Sequence, residues 1–121
     1  MRNEDKIHIS IMEYLDLVLP ETWIIFHPPN GGKRNKAEAA KFKRMGVLAG
    51  VPDIFILGTR RDGLPATYMI EVKDPLGSLS KPQIEFLECA DRINHKYTIA
   101  RSIDDVRKFI REMDIPTREV Q

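Results

Sequence analysis

The chain has 121 residues, of which 42% are hydrophobic and 31% charged; this balance fits one globular domain with its own core and excludes a disordered or fibrous chain. A single cysteine, Cys89, excludes a disulfide framework and a cysteine-built zinc site and points to a reducing compartment. No apolar stretch approaches the ~20 residues of a membrane helix, and the charged start "MRNEDKIH" lacks the apolar centre of a signal peptide, so a soluble, cytoplasmic protein is expected.

Residues 4–19 place Ile7, Ile11, Leu15 and Val18 at helical spacing, and Pro20 stops that helix. "TWIIFH", 22–27, is β-branched and aromatic and predicts a strand. "PPNGG", 28–32, is a loop, and 35–45 a short helix that Gly46 ends. "DIFIL", 53–57, is a nearly continuous apolar run, as in a strand covered on both faces. A connecting loop, 58–66, leads to the strand "TYMIEVK", 67–73; strands so closely joined should pair antiparallel. Ser80 opens a further helix, with Gln83 at capping-box spacing. The strand "KYTIAR", 96–101, then returns to the same sheet through a helical crossover. The last helix, 103–113, carries Ile103, Val106, Phe109, Ile110 and Met113 inward behind a Ser102 cap, and the tail from 115 is expected to fray. The expected architecture is α/β, a mixed sheet flanked by helices in the order α-β-α-β-β-α-β-α, forming one domain over 1–121.

Net charge is +1, but it is unevenly spread. Residues 27–61 hold eight basic and two acidic residues, a local charge of +6, while the eleven basic and sixteen acidic residues elsewhere leave −5. Such a basic segment suits either a polyanion partner or a solvated helix face with a hairpin tip.

Alternation along 67–73 sends Tyr68, Ile70 and Val72 to one face of the sheet and Met69, Glu71 and Lys73 to the other. Asp53 begins the strand that pairs antiparallel with this one. The start of one strand lies beside the end of the other, so two carboxylates and an ammonium converge at one sheet edge. Two buried carboxylates repel unless something compensates. A hard divalent cation, Mg²⁺ or Mn²⁺, supplies that compensation where His and Cys ligands are few. A lysine beside it can orient water or steady charge on a phosphate. Taken separately, Pro52-Asp53 also reads as a turn, and Glu71 with Lys73 as a solvated pair.

These residues carry a resemblance. Gly50-Val51-Pro52-Asp53 followed by Ile70-Glu71-Val72-Lys73 looks like the PD-(D/E)xK nuclease signature. With Pro29-Asn30-Gly31-Gly32, Gly46-Val47, Ala49-Gly50 and Ser80-x-x-Gln83 in order, the chain resembles the virus-type replication-repair nuclease (VRR-NUC) domain over nearly its whole length. The resemblance implies a restriction-endonuclease-like fold and a metal-dependent DNA endonuclease. In it, Asp53 and Glu71 are the metal-binding carboxylates, Val72 lends a main-chain carbonyl to the metal, and Lys73 is the catalytic lysine. Gln83 lies near the site, where it also suits a capping role. A glutamate in the first helix joins the metal; Glu4 and Glu13 are the candidates. Glu4 lies on the inward stripe of Ile7 and Ile11 and Glu13 faces away, so Glu4 is chosen, although a first-turn glutamate also complements the helix dipole. The resemblance further implies cleavage to a 5′-phosphate and a preference for branched DNA such as four-way junctions. Small stand-alone members of this kind act as homodimers in bacterial or phage-infected cells.

Asn30, Gly31 and Gly32 place flexible backbone beside Lys33 and Arg34, and Lys36, Lys43 and Arg44 share one side of the next helix. Both features suit phosphate contact, though the first also reads as a turn that needs glycine. His27 reads as a polar bystander, and Trp23 or the tail as a candidate interface. With no base-reading element, the preference expected is for DNA shape. The competing readings are a non-catalytic DNA-binding or assembly module and an RNA-directed nuclease.

Overall fold

The computed structural model describes residues 1–29 and 35–118. Helix α1 (Asn3–Val18) leads to strand β1 (Ile24–Phe26) and helix α2 (Lys36–Arg44). Strands β2 (Ile54–Thr59) and β3 (Pro65–Val72) follow, then helix α3 (Lys81–Arg92), strand β4 (Lys96–Ala100) and helix α4 (Ile103–Glu112). The strands form one mixed sheet in the order β1-β2-β3-β4. β2 is antiparallel to both β1 and β3, while β4 lies parallel to β3. A parallel neighbour needs a long crossover, and α3 supplies it.

Side-chain alternation divides the sheet into two unlike faces. One carries Ile54, Ile56, Tyr68, Ile70 and Val72, none more than 5% exposed. The apolar stripes of α1 (Ile11, Leu15) and α4 (Val106, Phe109, Ile110) seal it. Burying such side chains is the main force holding these layers together. On the other face α3 buries Leu87 and Ala90. Among the described residues, an open cleft of about 1170 Å³ remains there, lined in part by Phe42, Phe55, Met69, Phe86 and Ile93.

Helix ends follow the expected chemistry. Ser102 accepts from the Asp105 amide, and Asn35 from the Glu38 amide. Gly46 ends α2 with its amide on the Lys43 carbonyl, and the Val47 amide reaches the Phe42 carbonyl, the paired bonds of a Schellman motif. Cys89 lies exposed on α3.

Three expectations are corrected. The connection between β2 and β3 is shorter than 58–66, because Gly58 pairs with Ala66 and Thr59 with Pro65. Proline is tolerated as a strand's first residue, and Gly58 is required by space: a Cβ there would lie 2.3 Å from the Trp23 ring. Trp23 thus packs on the hairpin and against the core, half-buried rather than exposed. The tail does not fray at Ile115, which is 3% exposed in the core. The Arg118 amide then donates to the Val18 carbonyl at 2.7 Å.

Candidate nuclease site

Strand register builds the site. Ile54 pairs with Ile70 across β2 and β3, so the residue before one strand, Asp53, stands beside Glu71 near the end of the other. The Val72 amide donates to Asp53 Oδ2 at 2.8 Å, which locks that carboxylate against β3. The Val72 side chain belongs to the core on the opposite face. Lys73 follows on the site face, 8% exposed, with its amide bonded to the Ala100 carbonyl of the parallel neighbour.

Gly50 sets the approach to Asp53. Its φ is +79°, and a Cβ there would meet the Pro82 carbonyl oxygen at 2.2 Å. Only glycine permits both the left-handed backbone and this contact with the start of α3. The glycine of the Gly50-Val51-Pro52-Asp53 run thereby brings the Asp53 segment against the helix that carries Gln83.

Gln83 both caps α3 and reaches Glu71. Its Oε1 accepts from the Ser80 amide at 2.8 Å, and Ser80 Oγ accepts from the Gln83 amide at 3.4 Å, closing the capping box. Its Nε2 is left to donate to Glu71 Oε1 at 3.0 Å. The helix cap orients the amide that in turn orients the carboxylate.

Glu71 is 1% exposed, and its Oε2 is buried without a hydrogen-bond partner. Burial, and then the neighbouring Asp53 carboxylate, push its pKa from 4.5 up to about 8, while Lys73 pulls the other way. A buried carboxyl with an unpartnered oxygen, beside a second carboxylate, is a donor set that fits a hard divalent cation. Glu4 completes the acidic surroundings: its charge also raises Glu71, and its Oε2 accepts from the Asp74 amide at 3.4 Å. Glu13 is exposed elsewhere on α1. Of the two candidates, Glu4 is the one the fold brings here.

Several residues of this region carried no sequence signal of their own. Arg101 Nη1 donates to the Asp74 carbonyl at 2.6 Å and the Gly77 carbonyl at 2.7 Å, pinning the turn that follows Lys73. Asn3 Nδ2 holds Asp74 Oδ2 at 2.7 Å. The Leu76 amide and then Asn3 lower the Asp74 pKa. Because β3 and β4 run parallel, residue 101 had to emerge beside residue 73, which was the available clue. His8 lies one helical turn beyond Glu4 on the same side of α1. Its ring stands 4.6 Å from that of His27, and His27 Nδ1 donates to the Asp53 carbonyl at 2.6 Å. Burial, then His27, lower the His8 pKa. His27 thus contacts both the Asp53 main chain and the His8 ring.

Lys36, Lys43 and Arg44 are exposed on α2, and none forms an ion pair with a described residue. The expected phosphate loop of Asn30, Gly31, Gly32, Lys33 and Arg34 lies outside the described residues.

The family model of the VRR-NUC domain matches residues 27–104, a span that holds Asp53, Glu71, Lys73 and Gln83. The chain belongs to the VRR-NUC family. A solved structure described as a "VRR_NUC domain protein" is similar to it at 28% identity, with a TM-score of 0.68 over 93% of this chain and 88% of that one. A comparison with curated proteins finds no match. The mixed sheet and its helices are thus a VRR-NUC nuclease-type fold, as the sequence implied. No helix among the described residues is long and apolar enough to cross a membrane.

Proposed function

We propose that this VRR-NUC chain, acting as one domain over 1–121, is a metal-dependent DNA endonuclease selective for branched DNA such as four-way junctions, working as a homodimer. The observation that carries this reading is half-buried Asp53 beside buried Glu71, whose Oε2 has no hydrogen-bond partner, with buried Lys73 one residue beyond Val72. Asp53, Glu71, Glu4 and the Val72 main-chain carbonyl would hold Mg²⁺ or Mn²⁺. Bound there, the ion supplies Lewis acidity toward a phosphate oxygen and lowers the pKa of a coordinated water.

The chain's own groups do the remainder. Gln83 holds Glu71 in place, and the Val72 amide holds Asp53. Lys73 keeps an ammonium at the edge of the site, where it orients water and offsets charge developing on the phosphate. The water oxygen adds to phosphorus as the P–O3′ bond breaks, leaving a 5′-phosphate and a 3′-hydroxyl. The exposed cations of α2 position the DNA backbone, and the lack of a base-reading element among the described residues favours recognition of shape. A twofold pair of such sites suits paired incisions at a junction.

The test is nicking of supercoiled plasmid with Mn²⁺. Lys73→Ala and Asp53→Asn are each expected to lose at least about 10²-fold in rate. Undiminished cutting by either purified variant would overturn the site. Wild-type protein that retards DNA but nicks it under no divalent ion would make the chain a binding module.

A further inference from the structure

Beside the acid pair lies a second group of metal-competent donors. A ring nitrogen of His8, a ring nitrogen of His27 and a carboxylate oxygen of Asp53 all lie within 4.8 Å of one another. They come from three segments: His8 from α1, His27 from just after β1, and Asp53 from just before β2. We propose that His8, His27 and Asp53 form a second cation site, for a borderline divalent transition ion such as Zn²⁺, which shares Asp53 with the acid-pair site.

Three features support the assignment. Ligand atoms held tetrahedrally by an ion at ~2.0–2.2 Å stand about 3.3–3.6 Å apart, so the group, already within 4.8 Å, closes on an ion with side-chain movements on the order of an ångström. A main-chain carbonyl can only accept, so the 2.6 Å contact with the Asp53 carbonyl puts the proton of His27 on Nδ1 and leaves the lone pair on Nε2. A ring N–H given to a carbonyl is also how ligating histidines are usually held. Finally, His27 is exposed, so positions beyond the three protein ligands open to solvent and to a phosphate oxygen. Imidazole ligands select against Mg²⁺. The inference rests on the proposed acid-pair site only through the shared Asp53.

The experiment titrates the metal-free full chain with Zn²⁺ and follows its imidazole resonances by NMR. The chain has three histidines, and His95, which is outside the group, serves as the internal control. The expected result is that His8 and His27 shift together and saturate at one Zn²⁺, while His95 stays in place. The shift persists in Glu71→Gln, which disables the acid pair and leaves the histidine group whole. His27→Ala, at an exposed position, and His8→Gln each weaken Zn²⁺ binding by more than about tenfold, with thermal unfolding unchanged. The inference is overturned if neither resonance moves, if His95 moves equally, or if Glu71→Gln abolishes the shift. In the last case the imidazoles merely sense an ion held by the acids. Loss of nicking with Mg²⁺ in Lys73→Ala, measured separately, reports on the acid-pair reading alone.

Discussion

The two faces of the sheet are built from the same strands and differ in what they bury. The α1/α4 face buries Ile54, Ile56, Ile70 and Val72, each at most 1% exposed. The α3 face buries Met69, Glu71 and Lys73, at 4%, 1% and 8% exposure. Neighbouring residues of β3 thus do opposite things. Ile70 and Val72 lower the free energy of the fold, whereas Glu71 between them raises it by holding a carboxyl away from water. The sealed face contributes stability, and the other spends part of it on a site that an ion can complete. Folding free energies are small differences between large terms, so this division is affordable only because the sealed face is continuous.

The sharpest way to break the contrast is on the sealed face. Ile70→Ala is expected to cost about 2–5 kcal/mol, measured by urea unfolding, with cleavage per folded molecule unchanged. A cost near zero would mean that this face does not carry the fold.

Glu71 should give the next largest effect, and in a direction that depends on pH. Its folded pKa, about 8, lies above its ordinary value of 4.5, so between these limits the folded chain holds a proton that the unfolded chain has released. Its contribution is therefore most favourable below pH 4.5 and is lost as pH rises through about 8. In metal-free protein the stability difference between Glu71→Gln and wild type should grow in favour of the variant from pH 5 to pH 9. Carboxylates remote from Glu71 titrate alike in both proteins and cancel in that difference. A flat difference would mean that Glu71 is solvated.

Gly50→Ala should cost about 1–3 kcal/mol through its left-handed backbone and its clash with the Pro82 carbonyl. Nicking should fall more than stability alone explains, because the start of α3 carries Gln83. The smallest change is Ser80→Ala, expected to lose about 1 kcal/mol with the helix cap. If Gln83 depends on that cap for its orientation, the Mn²⁺ concentration needed for half-maximal nicking should also rise.

Chain periodicity made much of this legible. Period-two alternation assigned Glu71 and Lys73 to one face of β3, and the short connection implied the antiparallel pairing that sets Asp53 beside Glu71. Helical spacing placed Glu4 on the inward stripe and Glu13 off it. Gln83 was legible twice, as a cap and as a site neighbour, because one amide has both an acceptor and a donors' end. Less was legible where contacts join distant segments. Gly58 reads as a strand breaker, yet it is the space into which Trp23 packs. Ile115 reads as part of a loose tail, yet the core accepts it.

What the sequence by itself determined is which residues share a face, since that follows from the repeat of the backbone within each segment. Only the tertiary structure decided which faces meet. The turn pinned by Arg101, the pairing of His8 with His27 and the partnerless oxygen of Glu71 depend on how separate segments pack. Such contacts are set by the shape and volume of the whole core, which no local repeat encodes.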